Sequence, residues 1–150
     1  MTSDVPPIGS RRRILLFAAS FTALAACTRT DPEQQLLQTA QALQAAFESR
    51  DTGDVMDLVD ENFRGSANLD PQSARRLLTA TFLRYQNIKV VALAPGVRID
   101  PSAPTLGFIE SKVVVTGAQG LIPERAEPYT VRTEWRLVDG DWKLSDLRWE

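Results

Sequence analysis

A two-residue alternation near the C-terminus constrains the fold of this chain more than any other feature. In YTVRTEWRLV, residues 129–138, largely apolar side chains at odd positions alternate with polar side chains at even positions. Successive side chains of a β-strand point to opposite faces, so the segment predicts a strand with one covered face and one wet face. Asp139-Gly140 follows as a hairpin turn, and Trp142 and Leu144 resume the apolar face.

The same period extends to either side of this hairpin. Residues 107–117, GFIESKVVVTG, alternate in the same way, and residues 88–100 contain two extended segments, IKVVALA and VRID, which APGV interrupts. After the hairpin, Leu147 and Trp149 fall out of phase with the preceding apolar pair, which predicts a β-bulge near Ser145-Asp146.

Helical periods precede the strands. Asp31-Pro32 and Asp70-Pro71 each place an N-cap residue before a proline at the first helical position. The first pair predicts a helix that ends at RDTGD, and the second pair predicts the start of a third helix. A short second helix is expected between them, and ENFRGSANL is expected to follow it as an irregular or short extended piece. Three helices followed by a curved antiparallel sheet indicate an α+β domain. The apolar positions of the second and third helices are Val55, Leu58, Val59, Leu77, Leu78, Phe82 and Tyr85.

The N-terminus has the layout of a secretory signal. Arg11, Arg12 and Arg13 precede an apolar stretch, residues 14–26, which ends in small residues. As a helix this stretch spans about 20 Å, which is too short for the roughly 30 Å of a bilayer core. The three arginines fit either an ordinary positive region or a twin-arginine export signal.

The end of this stretch resembles the lipobox of bacterial lipoproteins at all four positions: Leu24, Ala25, Ala26 and Cys27. The resemblance implies a signal peptide over residues 1–26, a lipid on Cys27 and a short tether over residues 27–30. Thr28 in place of Asp implies the periplasmic face of the outer membrane, if the organism has one. The expected location is therefore the cell envelope, with the membrane as a partner through the lipid anchor.

The order of elements over residues 31–150 resembles the NTF2-like (SnoaL-like) cone. The segments that carry the resemblance are SRDTGDVMDLVDENF, DPQSARRLLTATF and EWRLVDGDWKLSDLRW. It implies three N-terminal helices packed on a curved antiparallel sheet, often with a pocket between them. The family includes isomerases, hydrolases, cyclases and non-catalytic modules, so the fold by itself does not name a function.

The amino-acid composition argues against several kinds of catalytic and binding site. The chain has no histidine, so a histidine-based triad or dyad is excluded, and the lipoprotein resemblance assigns its only cysteine to a lipid. No cluster of residues has metal-ligand spacing, and we expect neither a metal nor a cofactor. The net charge of −2 gives no basic face, and we expect no nucleic-acid partner.

A few polar groups on the otherwise apolar sheet face predict a small-molecule pocket. The leading interpretation is a non-catalytic module that binds a small apolar ligand or an envelope partner. One alternative is an enzyme of isomerase or hydrolase type that uses Tyr and Asp in the cone, although no single residue is identified as catalytic. Another is an assembly subunit that forms a homodimer through its sheet. Plain core packing and local hydrogen bonding compete with the pocket at each candidate residue. The candidates are Tyr85, Ser111, Tyr129, Thr133, Trp135, Trp142 and Asp146.

Overall fold

A computed structural model describes residues 31–117 and 128–150 of the 150-residue chain. The arginines Arg11, Arg12 and Arg13, the lipobox and Cys27 lie outside the described residues. The helices are α1 (Pro32–Ser49), α2 (Thr52–Asp57), a short 3-10 helix (Ser66–Asn68) and α3 (Pro71–Arg84). The strands are β1 (Val59–Gly65), β2 (Ile88–Ile99), β3 (Leu106–Gly117), β4 (Tyr129–Val138) and β5 (Asp141–Trp149).

Both predicted aspartate N-caps are confirmed. The side chain of Asp31 accepts a hydrogen bond from the backbone N–H of Glu33 at 3.2 Å, and Asp70 accepts one from Ser73 at 2.7 Å. These bonds satisfy N–H groups that the first turn of a helix leaves unpaired. The bond from Ser73 also lowers the pKa of Asp70. At the other end of α1, Arg50 has a left-handed backbone (φ 62°), which stops the helix there.

The five strands form one sheet in the order β1-β5-β4-β3-β2. Neighbours from β2 to β5 are antiparallel, as expected, but β1 pairs in parallel with β5. The sequence interpretation treated ENFRGSANL as irregular or briefly extended and placed Val59 on the second helix. Instead, Val59 begins a seven-residue edge strand. Its partner lies more than 80 positions later in the chain, so no local pattern indicates this pairing.

Two β-bulges interrupt the antiparallel part of the sheet among the described residues, and the pairing of β1 with β5 is also irregular between Val59 and Arg64. The register of β2 against β3 shifts between Leu93 and Gly96, so the strand runs through the APGV segment instead of ending there. The register of β4 against β5 shifts at Ser145, and the predicted bulge near Ser145-Asp146 is therefore confirmed. The hydroxyl of Ser145 donates to the backbone carbonyl of Glu134 at 3.0 Å. Bulges bend and twist the strands that carry them, and here they contribute to the concave face under the helices.

Side chains of α1 bind the open edge of β2. The side-chain amide of Gln44 donates to the carbonyl of Val90 at 2.8 Å, and the N–H of Val90 donates to Glu48 Oε1 at the same distance. Both polar groups of Val90 on the edge side are thus paired by residues one turn apart on the helix. This covers part of an edge strand that would otherwise offer unpaired backbone groups.

The core consists of two clusters. One packs α1 against the sheet through Leu36, Phe63, Ile109, Trp135, Trp142 and Leu144. The other joins the helices to the start of β2 through Ala46, Val55, Phe82 and Ile88. In the first cluster α1 approaches β3 so closely that a Cβ added to Gly107 would collide with Leu36.

Candidate functional site

A cavity of about 780 Å³ lies between the helices and the concave face of the sheet, bordered by members of both core clusters. Its size falls in the usual range for small-molecule sites. The helical side and β1 contribute Leu37, Ala40, Gln41, Leu43, Gln44, Phe47, Val55, Met56, Val59, Phe63, Leu69, Ala74, Leu77, Leu78 and Thr81. The other four strands contribute Val90, Ala92, Pro95, Ile109, Ser111, Val113, Val115, Tyr129, Val131, Thr133, Trp135, Leu144, Leu147 and Trp149.

No charged side chain lines this cavity within residues 31–117 and 128–150. Aliphatic and aromatic groups form most of the wall, and the polar lining residues are a few amides and hydroxyls. An ion inside such a wall would lose its hydration without gaining an opposite charge, which is strongly unfavourable. The wall therefore favours uncharged, apolar molecules.

Two of the hydroxyls on the sheet are already hydrogen-bonded within the protein. The indole N–H of Trp135 donates to Thr133 Oγ1 at 2.7 Å, and that hydroxyl donates to the carbonyl of Ile109 at 3.3 Å. The hydroxyl of Ser111 donates to the carbonyl of Leu93, beside the bulge of β2, at 3.0 Å. We call the part of the cavity wall around Ser111 and Thr133 the floor. Because its hydroxyls already have hydrogen-bond partners, the floor is effectively apolar toward a ligand.

Gln44 is engaged as well, because its amide binds Val90. Three polar lining residues have no side-chain hydrogen bond among the described residues: Gln41 on α1, Thr81 on α3 and Tyr129 at the start of β4. Gln41 and Tyr129 are exposed, and Thr81 is half-buried. Polar groups that remain available to a ligand are thus found toward solvent.

Four sequence-predicted site residues lie together on the cavity wall: Ser111, Tyr129, Thr133 and Trp135. Trp135 is only 1% exposed and belongs to the core as well, so core packing and the cavity wall are not exclusive here. Ser111 and Thr133 hold their local hydrogen bonds at the same time as they face the cavity.

The other three sequence-predicted residues do not line the cavity. Trp142 is buried in the first core cluster, and its indole N–H has no partner among the described residues. Tyr85 follows α3 and packs against the second cluster. Asp146 comes directly after the bulged Ser145 and forms two hydrogen bonds with the guanidinium of Arg148, both at 2.9 Å.

The pairing of Asp146 bears on the enzyme alternative. A Tyr-and-Asp mechanism requires a carboxylate in the apolar pocket near the tyrosine. Tyr129 lines the cavity, whereas Asp146 is held by Arg148 outside it, and this contact raises the pKa of the arginine. The predicted bulge at Ser145 is present, but it does not direct Asp146 into the cavity.

The outer face of the sheet is polar around Arg132. Its guanidinium forms ion pairs with Glu110 at 3.0 Å and with Glu150 at 2.6 Å, and the pKa of Arg132 is raised, mainly by Glu110. All three side chains are more than half exposed, so the pairs contribute little to stability. The predicted alternation of a wet and a covered face is confirmed on β4.

Comparison with known proteins gives similarity in structure only. No family model and no curated protein sequence matches the chain. Bd1075 of Bdellovibrio bacteriovorus is similar with a TM-score of 0.67 at 14% identity, over 78% of this chain and 40% of that one. An NTF2-like protein of unknown function from Pseudomonas putida KT2440 gives 0.67 at 10% identity, over 79% and 84%. A Streptomyces avermitilis protein of the NTF2-like family, provisionally described as a dehydratase, gives 0.61 at 13%, over 78% and 93%.

The chain has the NTF2-like fold. The predicted α+β cone is therefore confirmed, with helices packed on a five-stranded curved sheet. The NTF2-like cone accounts for the position of the cavity, since the helices cover the concave face without filling it. The chain spans 40% of the length of Bd1075, so the similarity concerns one part of that protein.

The sequence interpretation missed the helical side of the NTF2-like cavity. It named Leu77 only as an apolar position of the third helix, yet this side chain, which is 52% exposed, lies on the cavity wall. The same holds on the sheet for Val115 and Trp149, which are 45% and 41% exposed. Exposure of large apolar side chains around a cavity indicates an opening, and a one-dimensional pattern does not report exposure.

Within residues 31–117 and 128–150, no group of three or more Cys, Asp or Glu side chains is placed to hold a metal ion. No helix in this part of the chain combines the length and the hydropathy of a membrane span.

Proposed function

We propose that this chain is a lipid-anchored envelope protein whose NTF2-like domain binds a small apolar molecule without transforming it. The observation that carries the binding proposal is the cavity of about 780 Å³ with no charged side chain on its described wall. Burial of apolar ligand surface there contributes about 25 cal/mol per Å² of area removed from water. The similar fold of the Streptomyces avermitilis protein that is provisionally described as a dehydratase supports a ligand-binding or enzyme-like role for the pocket.

The choice of binding over catalysis rests on the contents of the wall. Among the described lining residues, Tyr129 is the only side chain with an ionisable group, and it has no carboxylate beside it in the lining. General acid–base catalysis needs a positioned group within hydrogen-bond reach of the substrate. A module that holds or delivers its ligand needs no such group.

The binding proposal is tested with Nile red, an uncharged dye that fluoresces in apolar surroundings. We expect the purified full-length chain to bind one dye molecule with increased and blue-shifted emission. Val113→Trp places an indole into the cavity and should abolish binding, because Val113 lines the wall.

A matched control is the adjacent residue of the same strand. Val114 is half-buried like Val113 but does not line the cavity, so Val114→Trp should leave dye binding unchanged. Equal loss of dye binding in both variants, or in neither, would show that the dye does not report the cavity.

The location is proposed from the sequence alone. The charged, apolar and small-residue order before Cys27 and the lipobox match support lipidation at that thiol. Cys27→Ser should abolish incorporation of a labelled fatty acid into the protein and move it from the membrane fraction to the soluble fraction. The proposal fails if the variant is labelled as strongly as the unmodified chain.

A further inference from the structure

The polarity of the cavity changes from the floor to the opening. At the floor, the hydroxyl of Thr133 is bonded to Trp135 and Ile109, and the hydroxyl of Ser111 is bonded to Leu93. A ligand atom placed against this floor therefore meets polar groups that already have partners. Burial of a polar or charged ligand group there, without a new hydrogen bond, is unfavourable.

The available polar groups lie elsewhere. Gln41 and Tyr129 are exposed and Thr81 is half-buried, and none of the three has a side-chain hydrogen bond among the described residues. They come from α1, β4 and α3, which border the cavity from different directions. A single polar group of a ligand can thus reach a donor or acceptor only toward solvent.

The described wall also lacks a counter-ion for a charged ligand. The nearest charged residue along α1 is Glu48, and it is already bound to Val90 and to Lys89. Arg132 on β4 is paired with Glu110 and Glu150 on the outer face. Neither the lining nor these flanking charges supply a free cation for a carboxylate or a free anion for an amine.

From this arrangement we propose that the cavity binds uncharged ligands in preference to charged ligands. Its ligand class is an uncharged, hydrocarbon-rich molecule with at most one polar end, such as a long-chain alcohol. Its chain lies on the floor and its polar end points toward solvent, at Gln41, Thr81 or Tyr129. Fatty acids and fatty amines of the same chain length are excluded while they are ionised. This inference rests on the proposed binding function and narrows it.

The test compares decanol with decanoate, which share a ten-carbon chain and differ in charge. Each is added to the full-length chain loaded with Nile red, and displacement gives its affinity. Above the carboxyl pKa we expect decanol to bind about ten-fold or more tightly than decanoate, because only the anion loses hydration without a counter-charge. Acidification that protonates the acid should bring its affinity close to that of decanol.

An introduced cation provides the second measurement. Thr81→Lys places an ammonium group at the opening and should raise the affinity for decanoate relative to the affinity for decanol. Thr79→Lys is the matched control, because Thr79 is exposed on the same helix and does not line the cavity. It should leave both affinities unchanged.

The outcomes separate the two proposals. Equal binding of decanol and decanoate by the unmodified chain overturns the neutrality inference and leaves apolar binding intact. Failure of Nile red and decanol to bind at all overturns the proposed function itself. A gain of decanoate affinity in both lysine variants assigns the effect to general surface charge and also overturns the inference.

Discussion

At the scale of single residues, Thr133 contributes both to the stability of the core and to the wall of the cavity. Trp135 is 1% exposed, and its indole N–H is satisfied by the hydroxyl of Thr133. An unsatisfied buried donor costs about 1–3 kcal/mol, which is comparable to a large part of the stability of a small domain. A residue that resembles a binding group in the sequence thus serves first to satisfy its neighbour.

Replacement of this hydroxyl tests that role. Thr133→Val keeps the shape of the side chain and removes the acceptor, so we expect a loss of about 1–3 kcal/mol in the free energy of unfolding. Urea unfolding measures it. Thr130→Val on the same strand is the control, since Thr130 lies on the outer face and its hydroxyl has no partner among the described residues. Equal losses in the two variants would contradict the structural role of the Thr133 hydroxyl.

At the scale of elements, the attachment of α1 to the edge of β2 depends on an ionised carboxylate. The backbone N–H of Val90 and the ammonium of Lys89, in that order, lower the pKa of Glu48. Because the folded-state pKa is lowered, ionised Glu48 stabilises the fold above the ordinary glutamate pKa of about 4.3. This stabilisation is lost as the pH falls through the lowered pKa.

A pH series of urea midpoints measures this attachment. At neutral pH the unmodified chain should be more stable than the Glu48→Gln variant. This difference in the free energy of unfolding should shrink toward zero as acid protonates Glu48. Glu61→Gln, at an exposed carboxylate on β1, is the control and should show a smaller difference at neutral pH. A Glu48→Gln difference that does not change with pH would mean that the carboxylate charge is not the source of the stabilisation.

At the scale of the whole molecule, the cavity couples ligand binding to folding. A ligand that binds only the folded state stabilises it by about 2.7 kcal/mol at a hundred times its Kd. Members of both core clusters line the cavity, among them Trp135 of the first and Val55 of the second. A bound ligand adds apolar contacts to the residues of the cavity wall.

Thermal and urea unfolding with Nile red test this coupling. Saturating dye should raise the unfolding free energy of the chain by about 2–3 kcal/mol. Val113→Trp should show no such increase, because its indole occupies the space. An increase of the same size in that variant would place the dye outside the cavity.

The sequence by itself determined the three α-helices and the antiparallel strands that follow them, the two aspartate caps, the covered face of β4 and the bulge at Ser145, because each depends on neighbours within a few positions. It also identified Ser111, Tyr129, Thr133 and Trp135 as residues of one face, which the cavity brings together. Only the tertiary structure decided that β1 pairs with β5, that Asp146 binds Arg148 outside the cavity, and that α3 contributes Leu77 and Thr81 to its wall. These features depend on how distant elements meet and on how far the sheet bends away from the helices, and local periodicity carries no information about either.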